Sequence, residues 1–178
     1  MSNLEKIQKV YNVFRIIALI AMIFCFIFAG TGLLGLIGAA IVNDPRIFVG
    51  IGRMTDSVEI AGSRQFMVNM FTIIVAGTTN GILSMFSMNY FASARKDGTP
   101  FTKKGATELK HLGIKTIVMP LCATIVNAII LAAFNATAFY DLGNGASISS
   151  GIFMLLFSIV IAYGAELEEK TKGLNQSN

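Results

Sequence analysis

"IIALIAMIFCFIFAGTGLLGLIGAAIV", residues 16 to 42, runs for 27 positions without one charged side chain. A helix needs roughly 17 to 25 apolar residues to cross a hydrocarbon core of about 30 Å. This run exceeds that, so the helix is expected to tilt or to end within its glycine-rich half. It is also too long for the apolar core of a signal peptide, about 7 to 15 residues. Three further charge-free runs follow: Phe66 to Phe91, Thr116 to Tyr140 and Ser147 to Ala165.

Only 13% of the residues are charged, against about 25% in a soluble domain, and mean hydropathy is +0.67. A single soluble core cannot hide that much apolar surface, so a bilayer is the natural solvent. The expected fold is all-α, an integral membrane four-helix bundle forming one domain over residues 1–178. Its spans are predicted at about 14–42, 66–92, 114–140 and 147–165.

Orientation follows from the cations. Lys6, Lys9 and Arg15 precede the first span; Arg95, Lys96, Lys103, Lys104, Lys110 and Lys115 lie between the second and third; Lys170 and Lys172 follow the fourth. These eleven share one side, against Arg46, Arg53 and Arg64 on the other. Positive charge is retained on the cytoplasmic side, so both termini are expected there. Tyr11, Tyr90, Tyr140 and Tyr163 each fall near a span boundary, where amphipathic rings prefer the interface.

Within the bilayer, helices pack through small residues and modest polar contacts. Ala18, Ala21, Cys25, Ala29, Gly32, Gly35 and Ala39 recur at helical spacing in the first span. A polar stripe is expected to bind the bundle together, with Asn69 and Asn80 in the second span and Thr124, Asn127 and Asn135 in the third. The competing reading, a permeation path, lacks the ionisable residue that marks most ion pathways and proton relays. Pro120 removes a backbone N–H and is expected to bend the third span. Cys25 and Cys122 fall inside spans and read as small apolar filler. His111 is the sole histidine, a poor metal site. No nucleophile–base pair, phosphate loop or cofactor motif stands out, so no catalytic, cofactor or metal site is expected. The chain is read as a non-enzyme.

The basic connection "RKDGTPFTKKG", residues 95 to 105, opens with a turn signal at Asp97-Gly98-Thr99-Pro100. Thr102 suits the N-cap of a new helix, with Phe101 packing back on it as a staple. From Lys103 onward, Ala106, Leu109 and Leu112 keep helical phase into the third span, and Lys103, Lys104, Lys110 and Lys115 take the opposite side. Anionic headgroups attract such lysines by about 1 kcal/mol each. The plain reading is a topology signal; the functional one is a docking surface. At the other end of the chain, "AELEEK" places Glu166, Glu168 and Glu169 at the level of Lys103, Lys104 and Lys110, with Glu166 and Lys170 ordered as an i,i+4 pair. Gly173 is expected to end the helix, leaving 173–178 as a disordered tail.

These two segments carry a resemblance. Gly98, Pro100, Phe101, Thr102, Leu109, Leu112 and Gly113 resemble the Gly-x-Pro-Phe-Thr segment and following Leu-x-x-Leu/Ile-Gly pattern of a bacterial four-helix membrane family. That family is known only as a domain of unknown function. Gly164, Leu167, Glu168 and Glu169 resemble its terminal Gly-x-x-Leu-x-Glu-Glu block. The resemblance implies, through frequent gene neighbours, a helix-turn-helix transcription regulator as partner. The expected function is thus a multi-pass bacterial inner-membrane protein whose basic loop and acidic helix end bind or sense a cytoplasmic regulatory protein. Anionic lipid headgroups are further partners, direct nucleic-acid contact is not expected, and self-association is compatible with the bundle. The competing class is a small-solute channel or transporter, or an immunity protein against a membrane-active peptide, working through the outer loop 43–65.

Overall fold

The computed structural model describes residues 3–42, 63–97, 102–136 and 144–176. These form four helices: α1 Asn3–Val42, α2 Ser63–Asp97, α3 Lys103–Phe134 and α4 Asn144–Gln176. Among the described residues only Thr102, Asn135 and Ala136 lie outside a helix. All four helices are long and apolar enough to cross a membrane. The shortest, α3 at 32 residues, rises about 48 Å against a hydrocarbon core of about 30 Å, so every helix has turns to spare at its ends.

The helices alternate in direction. Asn12 near the start of α1 meets Arg95 near the end of α2. Ser93 of α2 meets Glu108 in the first turns of α3. Lys103 at the start of α3 meets Glu169 near the end of α4. The first residues of α1 and the last of α4 therefore lie at one end of the bundle, the terminal end. Each helix packs along its neighbour in the chain, α1 on α2, α2 on α3 and α3 on α4, and no extended contact joins α1 to α4.

Small side chains make the interior. Val68 is the largest fully buried residue, and Ala18, Ala29, Ala94, Ala106, Ala123 and Ala165 are buried around the bundle. Many large apolar residues face outward, Phe24 at 67% exposed, Phe153 at 62% and Ile159 at 65%, while Phe66, Leu109 and Leu112 are among the few turned inward. That is the reverse of a soluble core and suits a hydrocarbon solvent, in which burying leucine yields no hydrophobic gain. Close backbone approach takes its place. A methyl on Gly77 would stand 2.8 Å from both the Cys25 carbonyl oxygen and the Ala29 nitrogen of α1. On the other hairpin, a methyl on Gly113 would stand 3.0 Å from the Gly151 carbonyl oxygen of α4. Toward the terminal end, Tyr90, Leu109 and Leu112 form an apolar cluster with Phe86, Phe91, Met154 and Ile161 against it.

Several boundaries differ from those expected. α2 continues beyond the expected span end at 92, to Asp97. α3 stops at Phe134 rather than Tyr140, because Asn135 adopts a left-handed conformation, φ 48° and ψ 44°. Asn is among the few residues that visit this region readily. The Ala136 N–H then donates to the Leu131 carbonyl at 3.0 Å, closing the last turn. Asn135 is thus a helix cap and not a member of the polar stripe. α3 runs through Pro120 as one helix. α4 likewise runs through Gly173 to Gln176, so most of the tail expected to be disordered is helical. One interior glycine costs only about 1 kcal/mol, and no proline follows to enforce a stop. The expected outer-loop surface lies outside the described residues over 43–62, as do Gly98, Pro100 and Phe101 of the turn.

The Gly77 crossing has a direct test. Gly77→Ala should destabilise the α1–α2 hairpin by about 1 to 3 kcal/mol, the usual cost of overpacking. Gly30→Ala adds its methyl where nothing lies within 4 Å and should be neutral or stabilising by up to about 1 kcal/mol. Equilibrium unfolding in mixed micelles reads both.

Candidate functional site

The terminal end brings together the two segments singled out in the sequence. Thr102 is the N-cap of α3, its backbone extended at φ −122° and ψ 143°. Its hydroxyl oxygen accepts the Gly105 N–H at 2.9 Å, satisfying one of the donors that a helix start leaves open. From that cap the apolar phase of α3 is as expected: Ala106, Leu109 and Leu112 are buried, with Gly105 and Gly113 buried beside them, while Lys103, Lys104 and Lys110 are exposed and Lys115 is half-buried.

The lysines do not form one face. Lys103 Nζ reaches Glu169 Oε2 of α4 at 2.6 Å. Both groups lie beyond the apolar stretches, and each side chain is about two-thirds exposed, 67% and 68%. Their shared hydrogen bond, and then their opposite charges, raise the Lys103 ammonium above its ordinary value and lower the Glu169 carboxyl below its own. Both therefore stay charged through the neutral range. Exposed pairs contribute little to stability; this one marks which parts of α3 and α4 stand side by side. Lys104 turns instead to Glu108 on its own helix, at 3.8 Å. Lys115 turns to α2, where its ammonium lies 3.5 Å from the centre of the Phe86 ring. Lys110 faces α4 with Lys103, across a groove that Glu166 also lines.

The three glutamates separate too. Glu169 holds the bridge, Glu166 lines the groove, and Glu168 is half-buried. The expected Glu166–Lys170 pair does not form, whereas Lys103–Glu169 and Lys104–Glu108 do. A cleft of about 440 Å³ between α2 and α3 had no place in the sequence reading. Asn89 and Ser93 line it from α2, and Glu108, His111 and Lys115 from α3. The Ser93 hydroxyl donates to Glu108 there at 3.2 Å. The spacings Asn89/Ser93 and Glu108/His111/Lys115, each one helical turn, are the signal that could have found it.

The polar stripe resolves into different roles. Thr72 and Asn127 are both buried, and Thr72 Oγ1 lies 2.7 Å from Asn127 Oδ1, joining α2 to α3. The same hydroxyl lies 3.0 Å from the Val68 carbonyl. One hydroxyl carries one proton, so it serves one acceptor at a time unless the Asn127 amide turns its NH₂ toward Thr72. Buried Asn69 accepts from Gln65 Nε2 at 3.1 Å on its own helix. Exposed Asn80 donates to the Ala76 carbonyl at 3.0 Å, and Thr124 to the Pro120 carbonyl at 2.9 Å. Within the expected stripe, Asn127 makes a contact that crosses between helices, to Thr72 of α2.

Comparison with protein-family models, with curated proteins and with solved structures finds no match to this chain.

Asn127→Leu should cost about 0.6 to 2 kcal/mol, the measured range for hydrogen bonds between membrane helices. Asn80→Leu should stay within about 0.5 kcal/mol of the parent, as for an exposed position. Unfolding of both variants in the same micelles checks the difference.

Proposed function

We propose that this is a non-enzymatic, multi-pass protein of the bacterial inner membrane whose terminal end faces the cytoplasm and docks a soluble regulatory protein. The observation that carries this reading is the Lys103–Glu169 bridge. It sets the basic start of α3 beside the acidic end of α4, with Lys103 and Glu169 both exposed there. Such a surface can select a partner of complementary charge pattern, since electrostatic complementarity governs orientation and encounter rate more than raw affinity. The excess of lysine and arginine at this end supports the cytoplasmic placement. The resemblance of the α3 entry and the α4 end to a bacterial membrane family supports a helix-turn-helix regulator as the partner.

Placement is tested by labelling intact cells with a membrane-impermeant thiol reagent, in a background lacking Cys25 and Cys122. Lys104→Cys should stay unmodified and Thr55→Cys should react; the opposite pattern overturns the orientation. Docking is tested by recovering cytoplasmic proteins on the solubilised chain. The double variant Lys103→Gln with Lys104→Gln leaves nine cations on the terminal side against three, so insertion should survive. Partner capture should fall and lose part of its salt dependence, because the attraction acts over a screening length of about 8 to 10 Å. Capture unchanged at every ionic strength would reduce the lysines to a topology signal. Loss of solute or peptide resistance on deletion, with no partner recovered, would favour the permeation or immunity class instead.

A further inference from the structure

Between the Gly113–Gly151 crossing and the Lys103–Glu169 bridge, α3 and α4 leave a groove of about 460 Å³. Its floor is apolar or small, with Leu155, Ile159 and Ala162 among its lining, and Ile159 is 65% exposed toward the surroundings of the bundle. Its walls are charged and opposite in sign: Lys103 and Lys110 come from α3 and Glu166 from α4. Lys103 is already engaged by Glu169. Lys110 and Glu166 make no ion pair with each other or with any other described residue. Glu166 does feel the Lys103 charge across the groove, yet neither it nor Lys110 closes an ion pair, so a cation and an anion face a single groove from opposite sides.

We propose that this groove holds a zwitterionic phospholipid with a primary ammonium headgroup, its phosphate on Lys110, its ammonium on Glu166 and an acyl chain along Leu155 and Ile159. The proposal rests on the membrane-spanning reading of the helices and not on the docking of a soluble partner. Its argument is charge complementarity. A lipid with only negative headgroup charge would gain from Lys110 and be opposed by Glu166, whereas a zwitterion satisfies both. A lysine holds phosphate as a compact point charge. A carboxylate, acceptor-only, wants N–H donors, which a primary ammonium has and a quaternary one lacks. Dimensions agree: from Leu155 to Glu166 the helix rises about 16 Å, enough for a headgroup, its glycerol and the first part of a chain. The floor places the occupant in the bilayer, and this favours a lipid over a soluble phosphate ester.

The test is lipid retention by the full-length protein in detergent, read by native mass spectrometry. Phosphatidylethanolamine, phosphatidylcholine and phosphatidylglycerol of identical acyl chains are offered in equimolar competition. Phosphatidylethanolamine should be retained about tenfold over each of the others, the effect of roughly one charge-assisted hydrogen bond. Glu166→Gln should abolish its advantage over phosphatidylglycerol, and Lys110→Gln should weaken retention of both lipids. Both residues are exposed, so the variants should fold, which their circular dichroism and unfolding midpoint verify. Lys96→Gln, at the exposed end of α2 and outside the groove, should change nothing. Equal retention of the three lipids, or a preference untouched by Glu166→Gln, overturns the proposal. Preference for phosphatidylglycerol overturns it in favour of general attraction of anionic lipid to the lysines. Displacement by glycerophosphoethanolamine at lipid-equivalent concentration overturns it in favour of a soluble ligand.

Discussion

Helices that are apolar on every side gain nothing from burying leucine against leucine when lipid is just as apolar, so what holds them is how closely their backbones approach. Close approaches at glycines set that distance here, two of them at the crossings. Gly77 lies against Cys25 and Ala29 where α2 crosses α1, and Gly113 lies against Gly151 where α3 crosses α4. In each case the missing side chain lets main-chain atoms of one helix fill the space beside the other, and dispersion over that close seam replaces the hydrophobic effect. The outward direction of Phe24, Phe153 and Ile159 follows from it. Bulk at the seam would separate the helices, so bulk goes to the periphery.

The two glycine-sealed hairpins are joined by different chemistry. α2 meets α3 through the buried Thr72–Asn127 contact, the Ser93–Glu108 hydrogen bond nearer the terminal end, and the cluster around Tyr90, Leu109 and Leu112. A buried polar pair has little alternative in hydrocarbon, where an unsatisfied group is costly. It therefore fixes register more than it adds stability. The aromatic rings extend the join to α1, with Phe14 stacked on Phe91 at 5.4 Å and Arg95 donating to Asn12. α2 is flanked on both sides by neighbours, and no extended contact brings α1 back to α4.

Charge at the terminal end is distributed by the same geometry. The four lysines of the α3 entry are close in sequence, yet Lys103 goes to Glu169, Lys104 to Glu108, Lys115 to the Phe86 ring, and Lys110 to the α3–α4 groove. A helix turns 100° per residue, so spacings of one, six and five positions send neighbouring charges to different partners. The surface that results is mixed, and its bridge, cleft and groove are distinct sites with distinct chemistry.

Much of this architecture was legible in the residues alone. Charge-free runs of span length, such as Ile16 to Val42, leave a chain few alternatives to membrane-crossing helices. The Thr102 cap was readable because a helix start needs a side-chain acceptor and the apolar phase begins just after it. Glycines at helical spacing marked the first span as a packing helix, though not which residue each would meet. What the sequence left open was decided by contacts between helices. Asn80 and Asn127 look alike as isolated amides; only the crossing of α2 and α3 puts Asn127 against Thr72 and leaves Asn80 bonded to its own turn. Asn135 kept the spacing of a stripe but became a cap, because the helix ended beneath it. Glu166, Glu168 and Glu169 share a turn, but α3 lies along one side of that turn only, so a bridge, a groove wall and a half-buried carboxylate come from three neighbouring acids. Local composition sets which elements form and how long they are. Partners are set by rotation and register, and those belong to the packed helices together.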